Sequence, residues 1–146
     1  MTLQESNEIG WFSLSNPPDV LQNKITFTNP EHEPDGIWLN EAGTLVCTAG
    51  EYDGTIGVHT LDASGKPSTQ LFIRLADDLP SNWDWDDKRK GIEPEEVVIA
   101  EAGGKSFVLT TLQDAGAVVV YDITDPANPK YDSGAITELN LSLIHI

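Results

Sequence analysis

The chain has 146 residues, with 24 Asp and Glu against eight Lys and Arg, for a formal net charge of −16 at pH 7. So acidic a surface repels phosphate backbones and anionic lipid, which argues against nucleic-acid and membrane-surface partners. A single cysteine, Cys47, excludes an intramolecular disulfide framework, and every apolar run falls far short of the roughly 20 residues of a spanning helix, so no membrane insertion is expected in this segment.

Residues 1 to 10 are polar, lack the basic start and apolar stretch of a secretory leader, and are expected to be partly ordered at best. Trp11-Phe12-Ser13-Leu14 reads as a strand broken by Asn16-Pro17-Pro18-Asp19, and Leu21 to Phe27 as an outer strand leading onward. Strands are then expected at Gly36 to Asn40, Thr44 to Ala49 and Thr55 to Leu61, and, after the loop from Asp62 to Pro67, at Gln70 to Leu75. The stretch from 76 to 90 has no strand alternation and combines Trp83 and Trp85 with five aspartates and the basic cluster Lys88-Arg89-Lys90. Beyond it, Val97 to Ala100, Phe107 to Thr110 and Val118 to Ile123 are β-rich runs separated by the turns Ala102 to Lys105 and Asp114 to Gly116. Asp125 to Pro129 ends the last of these, with a fourth strand near Tyr131.

The two halves repeat. Glu33-Pro34-Asp35 with the strand and Glu41-Ala42-Gly43 turn that follow lies in register with Glu93-Pro94-Glu95, its strand and Glu101-Ala102-Gly103, at a constant offset of 60 residues. After a two-residue insertion in the turn, Leu45 to Thr48 matches Phe107 to Thr110, and Glu51 to Val58 matches Gln113 to Val120. Ordered recurrence of proline, strand, turn and strand is the signature of consecutive β-propeller blades. The expected fold is therefore all-β, a β-propeller fragment of two complete four-stranded blades plus part of a third. Residues 1–30 would supply the partial blade and connecting strand, 31–75 a blade, 76–90 an inserted acidic and tryptophan-bearing loop, and 91–139 the second blade. A closed propeller needs at least four blades of about 40 residues, so remaining blades of a parent chain are expected partners. Residues 140–146 do not continue the pattern, look like a translated sequencing adapter and are set aside, together with the glycosylation triplet Asn140-Leu141-Ser142 and with His145.

Both copies resemble the YVTN-type propeller repeat. The second, through Glu93-Pro94-Glu95, Gly104-Lys105, Leu109-Thr110-Thr111-Leu112-Gln113 and Val119-Val120-Tyr121-Asp122-Ile123, resembles the choice-of-anchor I family of bacterial secreted or surface proteins. The segment from Asp122 to Pro129 is similar to the repeat named for its L-V-I-V-D strand. The resemblance spans about residues 30 to 136. It implies an extracellular, periplasmic or cell-surface scaffold that binds a protein, glycan, small molecule or ion.

The foremost candidate site is acidic. Glu33 with Asp35, and Glu93 with Glu95, are spaced i and i+2, so each pair points to one side of an extended segment. First strands border the axis of a propeller, so the four carboxylates would face one another there. Oxygen-only donors select a hard cation, calcium before magnesium; the plainer reading is four loop acids in a wet channel. A second candidate is the loop Trp83, Asp84, Trp85, Asp86, whose indoles could stack on a sugar or partner, although packing onto the blades is the commoner use. Its resemblance to a helix-loop-helix calcium site fails at Lys88 and Arg89, where a ligand and a glycine are needed. The basic cluster there is read as neutralising neighbouring aspartates.

Catalytic signatures are missing: there is no G-x-S-x-G elbow, phosphate-cradling glycine loop or H-E-x-x-H pair. No catalytic residue is assigned. His59 aligns with Tyr121 as a strand side chain, Cys47 reads as a small buried hydrophobe, and His32, beside Glu33 near the channel, stands as the outlying functional histidine. The reading is a binding scaffold. The alternative is a calcium-dependent propeller hydrolase of phosphatase, phytase or lactonase type, whose channel carboxylates would hold the metal that activates water.

Overall fold

A computed structural model describes residues 2–3, 6–11, 23–83 and 92–136. Within them the chain is all-β, its eleven strands forming three antiparallel sheets. Strands β1 (Thr2–Leu3), β2 (Glu8–Trp11) and β3 (Asn23–Thr26) make the first, in that order. Strands β4 (Pro34–Leu39), β5 (Leu45–Gly50), β6 (Thr55–Leu61) and β7 (Pro67–Arg74) make the second, each beside its sequence neighbour. Strands β8 (Pro94–Ala102), β9 (Lys105–Leu112), β10 (Ala117–Asp122) and β11 (Lys130–Ile136) make the third in the same way. Among the described residues no helix is long and apolar enough to cross a membrane.

The start of the chain differs from expectation: the polar segment before residue 11 supplies two strands. Its charges are spent across the ladder, where Glu8 accepts from Lys24 Nζ at 2.9 Å and Thr26 Oγ1 at 3.0 Å. Ile9, paired with Ile25, fills the buried face. A polar strand whose ionic partners lie on another strand looks like a loop in the sequence.

Pairing in the second and third sheets matches residue for residue across the first three strands and into the fourth, as far as a bulge that falls after Thr60 in one sheet and after Val120 in the other. Trp38 faces Cys47 and Val98 faces Leu109; Cys47 faces Val58 and Leu109 faces Val120; Val58 faces Leu71 and Val120 faces Ser133. The bulge between Pro34 and Ile37 returns between Pro94 and Val97, because a proline on the first strand cannot donate to the ladder.

The sheets pack head to tail. Along β5, Leu45, Cys47 and Ala49 enter the main core shared with the third sheet, whereas Val46 enters a second cluster with Ile9, Ile25 and Phe27 of the first sheet and the chain just after it. Val58 points into the main core, yet its equivalent Val120 lies on the opposite, half-exposed face of the third sheet. The third sheet fills the core with Val108, Val119 and Tyr121, whose equivalents Val46, Gly57 and His59 look towards the first sheet. Both faces of the second sheet are therefore covered, and β5 is buried at every position. On β10 buried and half-exposed residues alternate strictly. Each fully buried Val, Leu or Ile contributes about 1.5–3 kcal/mol of transfer free energy.

First strands β4 and β8 are the edges of their sheets and run beside each other. A Cβ on Gly36 would lie 2.5 Å from the Glu95 carbonyl oxygen and 2.8 Å from Glu96 Cα, so glycine permits this approach.

Candidate functional site

The approach of β4 to β8 brings acids together. Both Glu-Pro-acid segments are held alike: the Glu33 carbonyl accepts the Glu51 N–H at 3.4 Å, and the Glu93 carbonyl accepts the Gln113 N–H at 2.9 Å. Asp35, at the start of β4, and Glu95, at the start of β8, hydrogen-bond through their carboxyl groups. Partial burial first, then the charge and hydrogen bond of Asp35, then the charges of Glu51 and Glu93, push the Glu95 carboxyl up to about 7. Around pH 7 the Glu95 carboxyl is therefore only partly ionised, as in other close carboxyl pairs.

Three of the four acids singled out in the sequence, Asp35, Glu93 and Glu95, thus share one electrostatic neighbourhood. Glu33 does not act on Glu95 in this way: it sits in the left-handed region at φ 43 with its N–H donated to Asn7 Oδ1 at 3.1 Å. Glu51 takes its place, and the sequence pattern did not single it out. The available signal was its alignment with Gln113, whose Nε2 donates to Glu93 Oε2 at 3.4 Å. An amide satisfies the acid in one sheet, and a carboxylate stands at its position in the other.

Among the described residues no three His, Cys, Asp or Glu side chains converge as a metal-holding group. The acids meet as a hydrogen-bonded pair within the field of two others.

His32 is no channel residue. It is fully buried, and it heads a relay inside the second sheet. Thr55 Oγ1 donates to Asp53 Oδ1 at 2.7 Å, which leaves Thr55 to accept from His32 Nδ1 at 2.9 Å. His32 Nε2 is hydrogen-bonded to Thr48 Oγ1 at 2.7 Å, and Thr48 Oγ1 to His59 Nε2 at 3.4 Å. His32 Nδ1 also lies 3.6 Å from Asp53 Oδ1, so the loop before β4, β5 and β6 are tied through one imidazole. Burial, then the neighbouring His32, lowers His59 to about 3, so it stays uncharged. Its Nδ1 is buried without a partner. Phe27 stacks on His59, with centroids 4.9 Å apart, and Phe72 meets it edge-on at 5.4 Å. Gly50 and Gly57 make room, since a Cβ on either would overlap the imidazoles. Such a buried relay ties the loop before β4 to β5 and β6.

Of the tryptophan loop, Asp84, Trp85 and Asp86 lie outside the described residues, as does the basic cluster. The part from 76 to 83 does not project from the sheets. A 3-10 turn at Leu75–Asp77 leads into buried Leu79, and half-buried Trp83 packs against the main core. Asp78 Oδ2 accepts from Tyr121 Oη at 3.1 Å, tying the turn to β10. Cys47 is buried, which pushes its thiol up to about 12.

Compared with protein-family models, with curated proteins and with solved structures, the chain matches none.

Proposed function

We propose that the sheets are consecutive blades of a β-propeller, and that this propeller is a binding scaffold of the secreted or cell-surface kind that the choice-of-anchor I resemblance implies. One observation carries the reading. Val58 faces the next sheet while its equivalent Val120 faces outward, so the sheets repeat by the same step. In a two-sheet sandwich equivalent faces would meet. The half-exposed face of Phe107, Leu109, Val118 and Val120 has the composition to receive another sheet. Under this reading β4 and β8 border the axis, and the Asp35–Glu95 pair opens onto it.

No catalytic step follows from the site, because its acids are linked to each other and its histidines are sealed. The test is a calcium titration of dialysed protein at pH 8, coupled to phosphate-ester and lactone assays. A scaffold gives no turnover with or without calcium. Calcium-dependent turnover, abolished by Asp35→Asn with Glu95→Gln, would replace this reading with the propeller hydrolase. Calcium binding without turnover, lost in the same double variant, would make the acid pair an ion site of the scaffold.

A further inference from the structure

Away from the acid pair, at the other end of β4 and β8, a groove of about 430 Å³ is lined by Trp38, Leu39, Asn40, Glu41, Ile99 and Glu101. Trp38 and Leu39 are 45% and 52% exposed, unusual for such large apolar side chains in a first strand. Glu41 and Glu101 are equivalent in the two sheets, and the head-to-tail step brings both to one groove. Neither carboxylate has a hydrogen-bond or ion-pair partner among the described residues, nor does the Trp38 indole N–H. The cation nearest in sequence to Glu101, Lys105, is already bound to Asp122 at 2.8 Å. Asn40 is committed as well, its Oδ1 accepting from the N–H groups of Thr44 and Leu45, each at 2.9 Å.

An indole face beside two unpaired carboxylates, in a chain of charge −16, calls for a flat, weakly hydrated cation. We propose that this groove receives an arginine side chain of a partner protein. The guanidinium plane stacks on Trp38, and its fork of N–H donors reaches Glu41 and Glu101, with the aliphatic stem against Ile99. A lysine ammonium would satisfy the charge without the stacking or the fork. The proposal names what the scaffold would hold and so rests on the scaffold reading. Its geometry uses the groove alone.

The test titrates the full chain with Ac-Gly-Arg-Gly-amide and with its citrulline and lysine counterparts, read by tryptophan fluorescence and calorimetry. The arginine peptide is expected to bind saturably, with citrulline weaker by about tenfold or more and lysine weaker by about threefold or more. The Glu41→Gln, Glu101→Gln double variant and Trp38→Leu are each expected to lower affinity about tenfold, with unchanged circular dichroism. Glu96→Gln, at an exposed carboxylate outside the groove, is the control. Citrulline binding as tightly as arginine, lysine binding as tightly, undiminished binding by the groove variants, or no saturation would each overturn the assignment. So would a neutral oligosaccharide that binds the groove in place of the peptide. Because these readouts involve no turnover, their failure is distinct from a failure of the hydrolysis assays that test the scaffold.

Discussion

Asp35 and Glu95 join the second and third sheets through a hydrogen bond between two carboxyl groups. Such a bond exists only while one of them keeps a proton. Glu95 ordinarily ionises near 4.5, and in the fold it does so at about 7. Between those values the folded chain holds a proton that the unfolded chain has released, so stability falls as pH rises through this window and is flat above it. Because Glu95 is largely solvated, the effect is expected on the order of 1 kcal/mol after screening. Urea unfolding at pH 5 and pH 8 measures it. Glu95→Gln, which keeps a donor for Asp35, is expected to flatten that part of the profile and to be the more stable chain at pH 8. An unchanged profile in the variant would place the pH dependence elsewhere in the acidic surface.

Thr48 is the centre of the buried relay, its hydroxyl hydrogen-bonded to both His32 and His59. Thr48→Val keeps the volume but leaves both imidazoles with an unmet nitrogen in a sealed core. The expected loss is about 2–3 kcal/mol in chemical unfolding. Thr110, its equivalent, donates to the Glu96 carbonyl at 2.8 Å. Thr110→Val removes one bond beside an exposed loop residue and is expected to cost about 1 kcal/mol. Equal losses would mean that the relay is worth no more than a single ordinary hydrogen bond.

The offset between Glu33 and Glu93 made the strand order of the second and third sheets legible, and Cys47, His59 and the neighbourhood of Asp35, Glu93 and Glu95 followed from it. The exceptions have a common cause. Where the second sheet carries His32, Thr55 and His59, the third carries Ile92, Ala117 and Tyr121, so one layer is polar and the other apolar under the same backbone. An exposed role for His32 was the natural inference from a histidine beside an acid, because nothing local announces that Thr48 and Thr55 will enclose it. Glu51 was missed for a related reason, since only the closeness of the two sheets turns it towards Glu95. The strands before residue 11 escaped because Lys24 and Thr26, which answer Glu8, lie on another strand.

Val58 and Val120 are equivalent in pairing and opposite in surroundings, which gives the head-to-tail step a direct test. Val58→Asp places a charge in the main core and is expected to cost about 3–5 kcal/mol, enough to unfold a marginal domain. Val120→Asp falls on the half-exposed face and is expected to cost about 1 kcal/mol or less. Unfolding midpoints of the two variants, measured side by side, decide the matter. Similar penalties would mean that the outward face of β10 is as well covered as the inward one.

Cys47 is fully buried with its thiol raised to about 12. The nucleophile in disulfide exchange is the thiolate, so Ellman's reagent is expected to leave the native chain unlabelled at pH 8 and to label one thiol per chain once urea unfolds it. Labelling at native concentrations of denaturant would reveal local opening of β5 ahead of global unfolding.

Trp83 separates a structural from a ligand-binding use of the turn after β7. Its ring closes over Gly134, where a Cβ would lie 3.0 Å from the indole Cη2 and 2.9 Å from Tyr131 Oη. Trp83→Ala therefore opens a cavity beside Tyr131 and Val119 and is expected to lower stability by about 2–4 kcal/mol, discounted from a full core tryptophan for its partial exposure. Gly134→Val forces the same ring outward from the other side and is expected to shift tryptophan emission to the red while also destabilising the chain. A ring reserved for a sugar or partner would behave otherwise: removing it would leave the unfolding midpoint in place and abolish binding alone.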